Sequence, residues 1–194
     1  MLTDKFRPHV DRVAVPLGRA LGNVGLSANA ITVLGTVVTG VASWLVATGR
    51  PVAGAWVLAG GSIADTLDGA VATAMGTKSR AGAFLDSTLD RVSDGMLFAA
   101  LAWVLAHEGH DLGFALALGT GVLAFMTSYI RGKAESLGLS CHVGFAERWL
   151  RILVMSFALA FHFVVAGLAL LFVLSLQTVV QRFFHVYRQA QASP

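Results

Sequence analysis

Six apolar stretches, at 31–48, 52–64, 92–106, 112–130, 150–165 and 168–180, run through the chain with short polar breaks between them. Flanking amphipathic residues extend each toward the ~20 residues that an α-helix needs to cross a bilayer. The pattern predicts an all-α, polytopic membrane protein with six transmembrane helices. The first and fourth stretches are uninterrupted, whereas the second and third carry aspartates at their facing ends. The last two share one long oily run, with a break expected at 166–167. Ahead of the first stretch, Leu2, Phe6, Val10, Val13 and Leu17 recur every three or four residues among Lys5, Arg7, Arg12 and Arg19. This spacing predicts an interfacial amphipathic helix, kinked or interrupted at Pro8 and Pro16. The expected organisation is a single membrane domain over 1–194, made of a juxtamembrane segment at 1–26 and a six-helix bundle at 27–190.

Composition agrees: 56% of the 194 residues are hydrophobic and 13% charged, with mean hydropathy +0.71, too apolar for a soluble domain of this size. Placing the N-terminus in the cytoplasm leaves Arg50 alone outside and puts thirteen of the fourteen Lys and Arg residues on the cytoplasmic side. The pI of 9.5 is therefore a topology signal with attraction to anionic lipid, and nucleic-acid binding is not expected. No uninterrupted apolar core precedes a small-residue cleavage site, so no signal peptide is expected and the N-terminus should remain attached. One cysteine, Cys141, excludes an internal disulfide. Trp44, Trp56, Trp103 and Trp149 fall near span ends, as interfacial anchors do.

Asp65, Asp68, Asp86 and Asp90 are not explained by packing. The first two are three residues apart and the second two four apart, so each pair shares a helix face. Two helices joined by a short glycine-bearing turn would aim both pairs at one spot just inside the cytoplasmic boundary. A carboxylate in an apolar span costs on the order of 3 kcal/mol, and repulsion within the group adds to it. Hard divalent cations relieve both penalties: oxygen-only ligands suit Mg²⁺, Mn²⁺ or Ca²⁺, and the stretch lacks the His or Cys that zinc would favour.

Written out, Asp65 to Asp90 reads D-x₂-D-G-x₂-A-T-x₈-G-x₃-D-x₃-D. It resembles the motif of the CDP-alcohol phosphatidyltransferase family and departs from it at Thr73, where the family usually has arginine. Lys78 and Arg80 on the same turn are the cations able to take over that arginine's phosphate contact. The resemblance implies that Asp65, Asp68 and Asp86 hold two divalent ions, Mg²⁺ or Mn²⁺, together with the diphosphate of CDP-diacylglycerol. It further implies that Asp90 completes the metal site and acts as general base on the acceptor hydroxyl. Gly69, Ala72 and Gly82 match positions lining the cytidine pocket, and Asn29 and Thr32 match positions that approach the diphosphate. For Asn29 and Thr32, capping of the first helix is an equal alternative.

The runs VGLSANAITVLG, FLDSTLDRVSDG, SYIRGKAESLGL, FAERWLRI and VVQRFFHV extend the likeness over nearly the whole chain, closest to the actinobacterial phosphatidylinositol phosphate synthases. That implies a homodimer in the bacterial inner membrane, with both termini and the active site cytoplasmic and membrane lipid around it. The implied acceptor is myo-inositol phosphate, its phosphate gripped by Ser128, Arg131, Lys133, Arg151 and Arg182. Arg148 opens the same span as Arg151 and joins this basic pocket. Glycerol 3-phosphate is the alternative acceptor, although phosphatidylglycerophosphate synthases tend to read D-P-x-A-D-K where this chain has Asp86-Ser87-Thr88-Leu89-Asp90-Arg91.

A cation transporter is the alternative from another class, since intramembrane carboxylates mark ion pathways, but acids gathered near one face fit it poorly. The six histidines are too scattered for a metal site. Asp94, one turn beyond Asp90, is expected to support the site or Arg91 by hydrogen bonding, and Glu135 and Glu147 to orient nearby basic side chains. A lateral opening for the lipid tails and a polar cavity toward the cytoplasm are further expectations.

Overall fold

The computed structural model describes Pro16, Gly25 and residues 27–192 apart from 75 and 78; at 63–70, 73 and 74 it describes the backbone alone. The amphipathic helix expected over the first seventeen residues lies, Pro16 aside, outside this description. Among the described residues the protein is all-helical: α1 (Ala28–Ala47), α2 (Pro51–Ala74), α3 (Arg80–His107), α4 (Asp111–Ser136), α5 (Arg148–Ala160) and α6 (Val164–Ala192).

Local chemistry sets the ends. Ser27 caps α1 by accepting from Ala30 N at 3.2 Å, and Ser79 caps α3 by accepting from Gly82 N at 3.0 Å. α2 stops where Gly76 turns left-handed (φ 64°), with Thr77 N donating to Ala72 O at 3.0 Å. The break between α5 and α6 falls at 161–163, earlier than expected. His162 takes φ 60°, and Phe163 N closes the turn on Ala158 O at 2.8 Å. Gly167 lies inside α6, where a Cβ would meet Ala158 Cβ at 2.6 Å. It lets the two helices approach and does not separate them.

The main contacts link α1 to α2, α2 to α5, α5 to α6, α6 to α4, α4 to α3 and α3 back to α1, a closed ring of neighbours. One apolar core draws on all six helices, with Ala42, Leu58, Leu101, Ala117, Met155 and Leu171 among its buried members. Hydroxyls are buried beside them, each returned to its own helix: Thr39 Oγ1 to Gly35 O at 3.1 Å, Ser43 Oγ to Thr39 O at 2.8 Å, Thr120 Oγ1 to Leu116 O at 2.7 Å. Large apolar side chains face outward instead: Leu34, Val37, Val41 and Trp44 on α1, Val122 and Phe125 on α4, Leu170, Val173 and Val180 on α6. Water does not tolerate so continuous an apolar exterior, and lipid does.

α1, α4 and α6 are long and apolar enough to cross a membrane. α5 has 13 residues, about 20 Å of helix, against a hydrocarbon core about 30 Å thick. Its expected extent ran on to 165, and the turn at 161–163 removes those residues.

Candidate active site

α3 carries Asp86, Asp90 and Asp94 at successive four-residue steps, a single line of carboxylates along one face, all partly buried. α5 lies across from that line and answers it with Arg148 and Arg151, three residues apart. Arg148 Nη1 stands 2.5 Å from Asp90 Oδ1, and Arg151 Nη2 stands 2.5 Å from Asp94 Oδ2. Two ion pairs therefore tie α3 to α5 like rungs.

The rungs differ in burial. In the inner one the side chains are 4% exposed for Arg151 and 13% for Asp94, and Arg151 Nη1 also donates to Ala146 O at 2.9 Å. In the outer one they are 17% exposed for Arg148 and 22% for Asp90. Arg91, on the far side of Asp90, stands 3.8 Å from Oδ2 and donates to Ser87 O. The partner of Asp94 is thus Arg151 and not Arg91, a pairing across 57 positions that sequence reasoning missed.

Asp65, Asp68 and Gly69 all lie in α2, with Val71 buried and Ala72 partly buried just beyond them. The side chains of Asp65, Asp68 and Thr73, and the whole of Lys78, are outside the description. At the start of α3, a Cβ on Gly82 would meet Asn29 Oδ1 and Ser79 Oγ, each at 3.2 Å. Exposed Asn29 therefore sits against the glycine that opens the aspartate helix, while Ser27 does the capping of α1. Thr32 is buried and donates to Ala28 O at 3.0 Å. Arg80 is exposed in the first turn of α3.

Asp86 and Asp90 offer hard oxygen donors on one helix face, with no His or Cys beside them in sequence, which fits a divalent cation of the Mg²⁺ or Mn²⁺ kind. Among the described side chains no group of three metal-ligating residues gathers. The two acids of α2 are not among those side chains.

The basic residues divide into held and exposed. Arg182 is 6% exposed and locked, Nε donating to Val143 O at 2.9 Å and Nη1 to Thr127 O at 2.6 Å. Ser128, next to Thr127, is partly buried. Arg131 pairs with Glu135 at 2.9 Å, and Lys133 is exposed. Glu147 accepts from Trp149 Nε1 at 3.0 Å. The charges of Arg131, Arg151 and Glu147 all act on Arg182, so cations from α4, α5 and α6 share one neighbourhood. Arg151 Nε is buried with no hydrogen-bond partner among the described residues. A cluster of guanidiniums with a spare buried donor is a place for an anion.

The loop at 137–147 lies over this neighbourhood and is strapped to α6. Thr178 Oγ1 accepts from Phe145 N at 3.3 Å and Ala146 N at 3.1 Å, and Gln189 Nε2 donates to Ser140 O at 2.7 Å. Gly144 has φ 100°, and a Cβ there would run into Thr178.

Comparison with known proteins places these residues in a family. The model for CDP-alcohol phosphatidyltransferases matches residues 26–187. An archaetidylinositol phosphate synthase of Methanothermobacter thermautotrophicus is 36% identical, over 97% of this chain and 95% of its own length. Phosphatidylinositol phosphate synthase of Mycobacterium tuberculosis is 40% identical over 147 residues, 74% of this chain and 67% of its own. The crystal structure of the Mycobacterium tuberculosis enzyme with CDP-DAG bound superposes with TM-score 0.83 at 34% identity, covering 91% of this chain and 94% of that one. Its complex with manganese and citrate gives 0.82 at 35%, covering 90% and 89%.

Proposed function

The chain belongs to the CDP-alcohol phosphatidyltransferase family, and we propose that it transfers the phosphatidyl group of CDP-diacylglycerol to myo-inositol phosphate, forming phosphatidylinositol phosphate and releasing CMP. One observation carries the reading: Asp90, the last acid of the motif, pairs with Arg148 of α5, three residues before the Arg151 that pairs with Asp94. In this reading the proton acceptor adjoins the arginines of α5 that would hold the phosphate of the acceptor. The names of the bacterial and archaeal relatives differ in their lipid and share inositol phosphate, which points to the same acceptor here.

In this reading Asp65, Asp68, Asp86 and Asp90 hold divalent metal, Mg²⁺ or Mn²⁺, as two ions. When bound, the metal supplies charge neutralisation for the diphosphate and for the departing CMP. Asn29, Thr32, Gly69, Ala72, Thr73, Lys78, Arg80 and Gly82 contribute to binding the CDP-lipid, the glycines by letting it come close to the backbone. Ser128, Arg131, Lys133, Arg148, Arg151 and Arg182 hold the acceptor phosphate, and the spare Nε of Arg151 fits that role. Asp90 takes the proton of the attacking hydroxyl.

Residues 27–190 form one six-helix membrane bundle in a bacterial inner membrane, with the termini and the site facing the cytoplasm and the functional unit a homodimer. The outward apolar faces and the single shared core support the bundle. The test is product formation in detergent micelles from CDP-diacylglycerol with labelled inositol 1-phosphate or glycerol 3-phosphate in parallel. Labelled lipid from inositol phosphate is the expected result, and lipid from glycerol 3-phosphate alone overturns the acceptor assignment.

A further inference from the structure

α5 and α6 meet at the turn over 161–163 and run back side by side, but they differ in length. α5 has 13 residues, about 20 Å, so its start at Arg148 lies about 10 Å short of the far boundary of a hydrocarbon core about 30 Å thick. α6 has 29 residues, of which about 20 cross that core, so its last turns, around Arg188, stand at the level of lipid headgroups. Beside the overhang of α6, where α5 falls short, is a cavity of about 1300 Å³ with the 137–147 loop as one wall.

The lining of this cavity changes along α6. Val180 and Phe184, with Phe145 of the loop and Trp149 of α5, make an apolar end of large exposed side chains. His185 and Arg188 follow toward the end of the helix, and Arg188 is exposed with no ion pair among the described residues. Glu147 also borders the cavity, but its carboxylate accepts from Trp149 Nε1 at 3.0 Å and its charge acts on Arg182. Arg188 is therefore the cation left to a ligand. None of the residues read above as holding metal, CDP-lipid or acceptor lines this space. Its volume exceeds the ~300–1,000 Å³ of an ordinary small-molecule pocket.

The geometry points to a binding site for a glycerophospholipid of the surrounding leaflet, with its phosphate on Arg188 and its acyl chains over Phe145, Val180 and Phe184. The guanidinium offers the phosphate a bidentate, charge-assisted partner at headgroup depth, and the apolar end continues into the hydrocarbon layer. A lipid seated there bears on the loop whose Val143 O and Ala146 O hold Arg182 and Arg151, and so steadies the arginine cluster from the membrane side.

Dioleoylphosphatidylglycerol titrated into the purified protein in a non-ionic detergent, with adducts counted by native mass spectrometry, tests the site. Wild-type protein should bind it at least about tenfold tighter than dioleoylglycerol, which has the chains without the phosphate, as a hydrogen bond to a charged group implies. Arg188→Gln should lose that preference, and Val180→Trp, which fills the apolar end, should weaken binding of both lipids. Amide exchange at Phe145 and Ala146 should slow by about tenfold in wild-type protein at ten times Kd, because lipid bound to the closed loop opposes its opening by mass action. Arg188→Gln should not show that slowing at the same lipid concentration. Equal binding of the two lipids by wild-type protein overturns the site, as does unchanged loop exchange, and both arms stand if the variants fail to fold. Displacement of phosphatidylglycerol by CDP-diacylglycerol assigns the cavity to the substrate, and loop protection that follows protein concentration instead of lipid assigns it to a second copy of the chain. Either result overturns the lipid site. Neither readout uses turnover, so a wrong acceptor and a wrong lipid site give different results.

Discussion

Asp90 and Asp94 are the same residue type one helical turn apart, and their surroundings separate them. Asp90 stands at the more open rung and is the proposed general base, so Asp90→Asn should lower phosphatidyl transfer at least about a hundredfold, with thermal unfolding in detergent little changed. Asp94 is bonded into the bundle interior. Asp94→Leu should destabilise by about 3 kcal/mol, because it leaves the Arg151 guanidinium buried without its counter-charge. Combining it with Arg151→Met should recover most of that loss in the same melting measurement. The acids were legible from spacing alone, since i, i+3 and i+4 steps define a face wherever a helix forms. The pairing of Arg151 was not, because a basic residue at a span end is equally expected from topology.

Between helices, the loop at 137–147 shows how one element holds another over the site. α6 offers Thr178, Arg182 and Gln189 along its length, and each engages the loop. Thr178→Val keeps the shape but removes the acceptor for two loop amides. It should speed hydrogen exchange at Phe145 and Ala146 and cost about 1–3 kcal/mol. Nothing in the sequence around Thr178 marks it, since a threonine in an apolar run reads as an ordinary membrane-helix residue returning its hydroxyl to the preceding turn. The α5–α6 boundary was misplaced for a related reason: a glycine in an oily run can break a helix or admit a neighbour. At Gly167 it admits Ala158, and the left-handed His162 makes the turn.

For the protein as an assembly in its membrane, the outward apolar faces make a sharp demand on substitution. Val173, 61% exposed on α6, should tolerate Phe, whereas Val173→Arg should lower membrane insertion, with a penalty of about 3 kcal/mol near mid-bilayer. Chelation of divalent ions from purified enzyme should abolish transfer, with Mn²⁺ or Mg²⁺ restoring it, as the carboxylate ligand set requires. Helical class, the three helices apolar enough to cross a membrane and the acid motif were readable along the chain because each depends on near neighbours: a run of oily residues, a 3.6-residue period, a fixed spacing of carboxylates. Which arginine meets which acid, which helices adjoin, and where a loop is tied down depend on residues far apart in sequence: Asp94 and Arg151 are 57 positions apart, and α2 meets α5 across a longer stretch still. Such contacts follow from how α5 and α6 close the ring against α2 and α4, and no local pattern encodes them.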